Sequence, residues 1–302
     1  MPTPTLPSMS RSFASRLLLL SASLCIAASS RTAAAQTPAV SRDKLTVPDS
    51  AHVQILTLAD GSTVFGRIVV VSGDTLTFQS QAGTMQLATA QITQIREVAT
   101  VDMHQGDYWF PNPNSTRLFF APSGQMLKRG EGYFSDYELF FPGVAYGVTD
   151  NITIGGGVSL LPAAIDEQAY YFTPKIGFSV SDQVHLAAGV LFVGAQGGTG
   201  GVYYGVSTFG NSNASVTLGG GYGFAGGDIE SKPVGMIGGE LRVWPRVGLV
   251  TENYLLPVSG NNLLYSFGFR FMGENITTDL ALVNVSGSTI IGVPYVDFVV
   301  RF

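Results

Sequence analysis

The feature that most constrains this chain is an alternation of apolar and polar-or-small residues that runs from about Thr116 to Phe302. It continues for stretches of about ten residues, a turn follows, and the pattern restarts, which is typical of membrane-spanning strands. The clearest stretch, residues 263–271, places five large side chains on one face: Leu263, Tyr265, Phe267, Phe269 and Phe271. The pattern predicts an all-β protein with a transmembrane antiparallel β-barrel.

The composition supports a membrane protein and argues against a nucleic-acid partner. Charged residues make up 12% of the chain and hydrophobic residues 45%, whereas charged residues average about 25% in soluble domains. No stretch reaches the roughly 20 apolar residues that a membrane-spanning helix needs. A net charge of −5 gives no basic surface for nucleic acid.

The first 35 residues have the layout of a secretory signal peptide. Arg11 and Arg16 precede an apolar run over 17–28, and the small residues at 33–35 form a cleavage site. The single cysteine, Cys25, would be removed with the signal. The mature chain is therefore predicted to start at residue 36 and to reside in the bacterial outer membrane.

Short turns and longer connections alternate along the predicted barrel, and their number gives the strand count. The predicted strands are 116–121, 132–148, 151–161, 170–180, 184–194, 201–209, 213–224, 234–243, 246–255, 263–272, 276–285 and 294–302. About twelve strands with both ends on the periplasmic side fit the even counts of bacterial barrels. Pro142 and Pro174 fall inside predicted strands, so counts of ten or fourteen stay open.

A smaller β-module precedes the barrel. Five short hydrophobic runs separated by Gly- and Asp-containing turns predict strands within residues 51–98. Residues 36–50 are predicted to be a disordered lead-in, residues 99–115 a linker, and residues 116–302 the barrel. The runs 58–62, 66–68 and 76–78 resemble those of small SH3-like or Sm-like barrels, which implies a periplasmic docking or folding module.

If the bulky residues of each predicted strand face the lipid, the charged residues lie on the other face and point towards the lumen. The predicted lumen-facing charges are Glu138, Lys175, Glu240, Arg242, Glu252, Arg270, Asp279, Asp297 and Arg301. Both signs are present in near balance. Two interpretations stay open: a lumen held together by ion pairs and hydrogen bonds, or a pore lined by facing positive and negative ladders whose charges tune selectivity.

Catalytic and metal-binding patterns do not emerge from the sequence. The three histidines, His52, His104 and His185, lie in different regions, and no nucleophile, base or carboxylate pair is grouped around them. No His, Cys and carboxylate cluster has metal-ligand spacing. We therefore expect no enzymatic activity, no catalytic residue, no cofactor and no metal.

The C-terminal strand resembles the assembly signal of bacterial outer-membrane β-barrel proteins. Phe298, Val300 and Phe302 lie on one face and the chain ends on an aromatic residue, although Asp297 stands where that family favours glycine. The resemblance covers roughly residues 116–302. It implies outer-membrane lipid and the barrel-assembly machinery as partners.

Three functions follow from these observations. The first is a porin-like barrel that acts as a narrow passive pore or as a structural barrel. The second is a membrane anchor whose module, residues 51–98, docks a periplasmic protein. The third is an outer-membrane hydrolase, which the scattered histidines disfavour.

Overall fold

The computed structural model describes residues 40–104, 107–161, 168–257, 263–287 and 292–302. The chain divides into two compact units, which meet between Thr100 and Val101. Among the described residues, no helix is both long and apolar enough to cross a bilayer. The signal peptide predicted for residues 1–35 lies outside the described residues.

The N-terminal unit is a five-stranded antiparallel sheet with the strand order β4-β3-β2-β1-β5. Its strands are β1 His52–Leu58, β2 Thr63–Ser72, β3 Thr75–Ser80, β4 Gly83–Ala88 and β5 Ile92–Ala99. They agree closely with the strands predicted from the turn residues. The core consists of apolar side chains that include Leu56, Ile68 and Phe78. The resemblance to SH3-like and Sm-like barrels stays a prediction.

The segment before this sheet differs from the predicted disordered lead-in over the part that is described. A short 3-10 helix spans Arg42–Lys44, and Leu45 is buried in the core of the module. The Val40 amide donates a 2.8 Å hydrogen bond to the Ile92 carbonyl. Residues 40–50 are thus ordered because Val40 and Leu45 cover apolar surface that the sheet leaves open. Two further 3-10 helices span Thr89–Gln91 and Thr100–Asp102.

The C-terminal unit begins with a small hairpin and continues as a closed antiparallel barrel. The hairpin pairs β6 Met103–His104 with β7 Asp107–Tyr108. The wall consists of β8 Gly132–Tyr137, β9 Phe141–Thr149, β10 Ile152–Val158, β11 Tyr170–Phe172, β12 Lys175–Ser181, β13 Val184–Ala195, β14 Gly198–Gly210, β15 Ala214–Ala225, β16 Asp228–Trp244, β17 Val247–Leu255, β18 Leu263–Met272, β19 Ile276–Val285 and β20 Val293–Arg301. Pairing of β20 with β8 and of β9 with β10 closes the sheet.

The predicted count of about twelve strands is confirmed. The segments β11 and β12 occupy a single position in the wall, because both pair with β10 and with β13. Pro174 separates them, as expected of a residue without a backbone N–H. The barrel therefore has 12 strand positions.

Two errors in the predicted strands cancel in that count. Residues 116–121 are not a barrel strand, and the predicted strand 132–148 is two strands, β8 and β9, joined by a turn. That turn passes through Glu138 and Leu139, whose φ values of 55° and 63° are positive. Non-glycine residues seldom adopt such values, and neither Glu138 nor Leu139 is a typical turn residue. The nearest turn signal in the sequence, Pro142 and Gly143, lies within β9.

The barrel wall has an apolar outer face and a polar or small inner face in its centre. On β18, Phe267, Phe269 and Phe271 are exposed on the outside, whereas Ser266 and Arg270 are buried on the inside. This separation is that of an outer-membrane β-barrel. Five short turns and the C-terminus lie at one end of the barrel, which we call the turn end. At the opposite end, the loop end, the β10–β11, β17–β18 and β19–β20 connections are longer, at 11, 7 and 7 residues. The other three connections there, β8–β9, β13–β14 and β15–β16, have only two or three residues, and for the last two the sequence pattern wrongly predicts longer loops.

Candidate functional site

The lumen contains a stretch of the chain itself, residues 110–128, which we call the luminal segment. It enters at the turn end, where the Phe110 carbonyl accepts a hydrogen bond from Arg242. It reverses direction at residues 118–121, with a 2.8 Å bond from the Leu118 amide to the Ala121 carbonyl. It ends at Lys128, whose carbonyl lies next to Gly147. The segment is a hairpin that fills the turn-end part of the lumen.

Glu252 on β17 binds the tip of this hairpin. Its Oε2 atom accepts hydrogen bonds from three consecutive backbone amides, those of Phe119, Phe120 and Ala121, at 2.8, 3.0 and 3.0 Å. Its Oε1 atom accepts a 2.7 Å bond from the Tyr254 hydroxyl. The side chain is fully buried. These four donors replace the hydrogen bonds from water that the carboxylate loses when it is buried.

Lys175 on β12 binds the luminal segment from the opposite side of the barrel. Its ammonium donates to the backbone carbonyls of Thr116, Ser123 and Gln125 at 3.2, 3.2 and 2.8 Å. These three bonds use all three donors of the ammonium group. Because the carbonyls belong to both strands of the hairpin, Lys175 holds the two strands together.

Arg270 on β18 links the wall to the hairpin. It binds Asp279 through two bonds of 2.8 and 2.7 Å and Glu240 through one of 2.7 Å. The same guanidinium donates to the carbonyls of Asn114 and Leu118, each at 2.8 Å. Its side chain is 0% exposed. All these hydrogen bonds are charge-assisted, because the guanidinium donates them, and together they hold Arg270 in a fixed geometry.

Two further cations complete the network. Arg117, from the luminal segment, pairs with Asp297 on β20, and both side chains are buried. Arg242 on β16 donates to the Phe110 carbonyl at 2.6 Å, and its guanidinium lies 4.7 Å from the centre of the Phe110 ring. The neighbouring Glu240 accepts a 2.7 Å hydrogen bond from the side-chain Nδ2 of Asn112.

The structure places most of the predicted lumen charges in this network. Those that face the lumen are Lys175, Glu240, Arg242, Glu252, Arg270, Asp279 and Asp297. Arg301 lies at the turn end and pairs with Glu131, where both side chains are partly exposed. The prediction is wrong for Glu138, which lies in the turn between β8 and β9 at the loop end.

Sequence reasoning missed the luminal segment and Arg117. It assigned residues 99–115 to a linker and 116–121 to the barrel wall, because the apolar run over 118–121 resembles a strand. One signal could have corrected this. Pro111, Pro113 and Pro122 bracket the run, and prolines at that density do not fit a central strand.

On the loop-end side of the hairpin the lumen opens into a cavity of about 220 Å³. Its polar aromatic lining is Tyr133, Tyr137, Tyr204 and Tyr254. The Phe120 ring projects into it from the hairpin tip, 6.0 Å from the Tyr137 ring and nearly parallel to it. The lumen is therefore divided into a charged turn-end part, which binds the hairpin, and a largely apolar part beyond it.

The histidines do not form a site with one another. His185 Nδ1 lies 2.8 Å from the Ser179 hydroxyl, His52 pairs with Asp49, and the His104 ring lies 4.7 Å from the Trp109 ring. Across the part of the chain that the structure describes, no three His, Cys, Asp or Glu side chains are grouped to hold a metal ion. The expectation of a non-enzymatic protein stays a prediction.

The residues of the predicted assembly signal lie at the seam of the barrel. Val300 and Phe302 are exposed on the outer face. The Phe302 amide donates to the Gly132 carbonyl at 2.9 Å, and the Gly132 amide donates to the Phe302 carbonyl at 3.0 Å. The last residue therefore pairs with the first residue of the wall, and Phe298 precedes it on β20.

No protein-family model and no curated protein matches the sequence. Solved structures that resemble the fold include the KdgM porin in complex with disordered oligogalacturonate, at 8% identity over 57% of this chain and 95% of that chain, with a TM-score of 0.41. The NanC porin aligns at 9% identity over 57% and 97%, with a TM-score of 0.38. The outer-membrane protein Omp33 of Acinetobacter baumannii aligns at 9% over 57% and 95%, with a TM-score of 0.35.

Proposed function

We propose that this protein is a narrow outer-membrane channel that its own luminal segment closes at rest. The observation that carries the proposal is the way Glu252 and Lys175 bind this segment. Each side chain, fixed on the wall, binds three backbone groups of the hairpin. The bonds are polar and non-covalent, so the hairpin can detach without breaking the wall.

The chemistry of these contacts favours a movable segment over a permanent filling. Apolar residues of similar volume often fill a buried site as stably as an ion pair does, or more stably. A hairpin of only structural value would therefore gain little from eight buried charges, which are Arg117, Lys175, Glu240, Arg242, Glu252, Arg270, Asp279 and Asp297. Polar contacts can instead be exchanged for water when the segment leaves the lumen.

The two ends of the barrel would face opposite sides of the outer membrane. Bacterial outer-membrane barrels have short periplasmic turns and longer outer loops, so the turn end would face the periplasm. Val101 begins the barrel unit and Phe110 enters the lumen at the turn end. The module over residues 51–98 would then be periplasmic, and the C-terminal strand would be recognised by the assembly machinery.

Conductance across planar lipid bilayers tests the channel. The wild-type protein should be closed most of the time, whereas Glu252→Met and Lys175→Met should open more often, because each removes one attachment of the hairpin. A chain in which a flexible Gly/Ser linker replaces residues 112–126 should conduct steadily. The matched control is Phe267→Leu on the lipid-facing surface, which should behave as wild type.

Heat-modifiable migration must show that each variant is folded before its conductance is compared. If the chain without residues 112–126 is folded but silent, the channel proposal is wrong. Equal opening of the wild-type protein and both charge variants would also contradict it, since the hairpin would then not control the passage.

The second candidate is a membrane anchor for the periplasmic module. The observation in its favour is that residues 40–100 have a core of their own, which includes Leu45, Leu56 and Phe78. Such a module could dock a periplasmic protein. Site-specific photo-crosslinkers in intact cells, placed at the exposed Val69 and at Val285 in the barrel as a control, test this. A discrete adduct at position 69 alone supports docking.

A further inference from the structure

We propose that the cavity on the loop-end side of the hairpin is a binding site for small, neutral aromatic molecules. The inference rests on the proposed channel, since it names the class of solute that would reach the closed hairpin.

The lining of the cavity is apolar and aromatic. Inward-facing aliphatic side chains from β13, β14 and β16 contribute Leu191, Val202, Val206, Val234 and Met236. Glycines on β15, among them Gly219 and Gly221, leave room between the side chains of β14 and β16. Sites of this composition, with a few hydroxyl groups, are typical of pockets for small organic ligands. A water-filled path for sugars or ions would need a polar surface instead.

The charged side chains on the hairpin side of the cavity already have hydrogen-bond partners. Arg117 and Lys175 contact it, but Arg117 pairs with Asp297 and Lys175 donates to three carbonyls. The luminal network contains four cations, Arg117, Lys175, Arg242 and Arg270, and four carboxylates, Glu240, Glu252, Asp279 and Asp297. Because the charges of the network balance and the three donors of Lys175 are taken by backbone carbonyls, a neutral ligand is favoured over an ionic one.

The volume sets the size of the ligand. A dry protein cavity of about 150 Å³ holds benzene, so the cavity of about 220 Å³ fits one substituted ring or two fused rings. The Phe120 side chain is 47% exposed although it lies within the barrel. A flat aromatic ligand that stacks on Phe120 would cover this apolar surface, as the rings of Tyr137 and Tyr295 do from other sides.

Protection of a cavity cysteine from a water-soluble thiol reagent tests the site, with 2-naphthol as the probe. In a Cys25→Ser background in lipid nanodiscs, Val234→Cys reports the cavity and Gly197→Cys, in a loop, is the control. At a free concentration ten times its Kd, 2-naphthol should slow labelling at position 234 by about tenfold. Labelling at position 197 should be unchanged, and glucose should protect neither position.

Two further substitutions test whether the cavity itself and the Phe120 ring bind the probe. Adding Val202→Trp, which fills the cavity, should abolish the protection. Adding Phe120→Ala should weaken 2-naphthol binding by roughly two- to tenfold, the contribution of one aromatic contact, whereas Phe209→Ala on the outer face should leave it unchanged. All variants are first checked for heat-modifiable migration.

Equal slowing at positions 234 and 197 would overturn the proposal, as would protection by glucose or protection that survives Val202→Trp. Because this assay measures binding without transport, it separates the two proposals. Protection in a protein that never conducts would contradict the channel and support the aromatic site. Conductance without protection would support the channel and contradict the aromatic site.

Discussion

Arg270 and Asp279 lie directly opposite each other in the register of β18 and β19, and two parallel hydrogen bonds of 2.8 and 2.7 Å join them. The guanidinium has no exposed surface and also contacts Glu240 and the hairpin. This pair therefore connects three parts of the lumen: two strands of the wall and the luminal segment.

Arg270→Ala should destabilise the barrel by about 3–5 kcal/mol, because it leaves the carboxylate of Asp279 buried without its cation. The measurement is the free energy of unfolding in lipid vesicles. The matched control is Arg301→Ala, which breaks the partly exposed pair with Glu131 and should cost about 0–1 kcal/mol. Equal costs for the two variants would mean that the lumen around Arg270 is filled with water.

Phe269→Arg should destabilise the inserted barrel by about 2–4 kcal/mol, the cost of a cation at the bilayer midplane. Phe269 is 49% exposed on the outer face, one residue from the buried Arg270. Phe269→Leu, which keeps the position apolar, is the control and should cost far less. A harmless Phe269→Arg would show that the inner and outer faces have been interchanged.

The folded protein should migrate differently in detergent gels before and after boiling. Closure through the pairs β20–β8 and β9–β10 leaves no free edge at which detergent can begin to separate the strands. Val144→Pro on β9 should abolish the shift, since Val144 pairs with both Phe134 and Gly156 and proline cannot donate to the ladder. Identical migration of boiled and unboiled wild type would contradict a closed barrel.

Removal of residues 36–100 should leave a barrel that still folds and inserts, because the unit that begins at Val101 has its own closed wall. Extending the deletion through residue 128 removes the luminal segment, so that four buried charges of the wall lose their backbone partners and Asp297 loses Arg117. The four charges are Lys175, Arg242, Glu252 and Arg270. This longer deletion should lower the midpoint of urea unfolding clearly below that of the shorter one. Similar midpoints for both would show that the hairpin contributes nothing to stability.

The alternation along β18 shows what the amino-acid sequence determines by itself. Because side chains alternate between the two faces of a strand, Phe267, Phe269 and Phe271 must lie on the face opposite Arg270 in any barrel. The apolar outer face and the inward direction of most charges follow from this local rule, whereas the predicted number of strands is correct only because two errors cancel.

Only the tertiary structure decided the positions of some residues, because these positions depend on contacts between residues that are far apart in the chain. Residues 118–121 have the pattern of a strand, yet they lie inside the barrel, because the buried carboxylate of Glu252, 131 to 133 residues away along the chain, binds their backbone amides. Glu138 lies in a turn between two strands, where its backbone has a positive φ, instead of in the middle of one strand as the pattern predicts. Such outcomes depend on the closed register, which brings distant residues together and makes an unpaired buried charge costly.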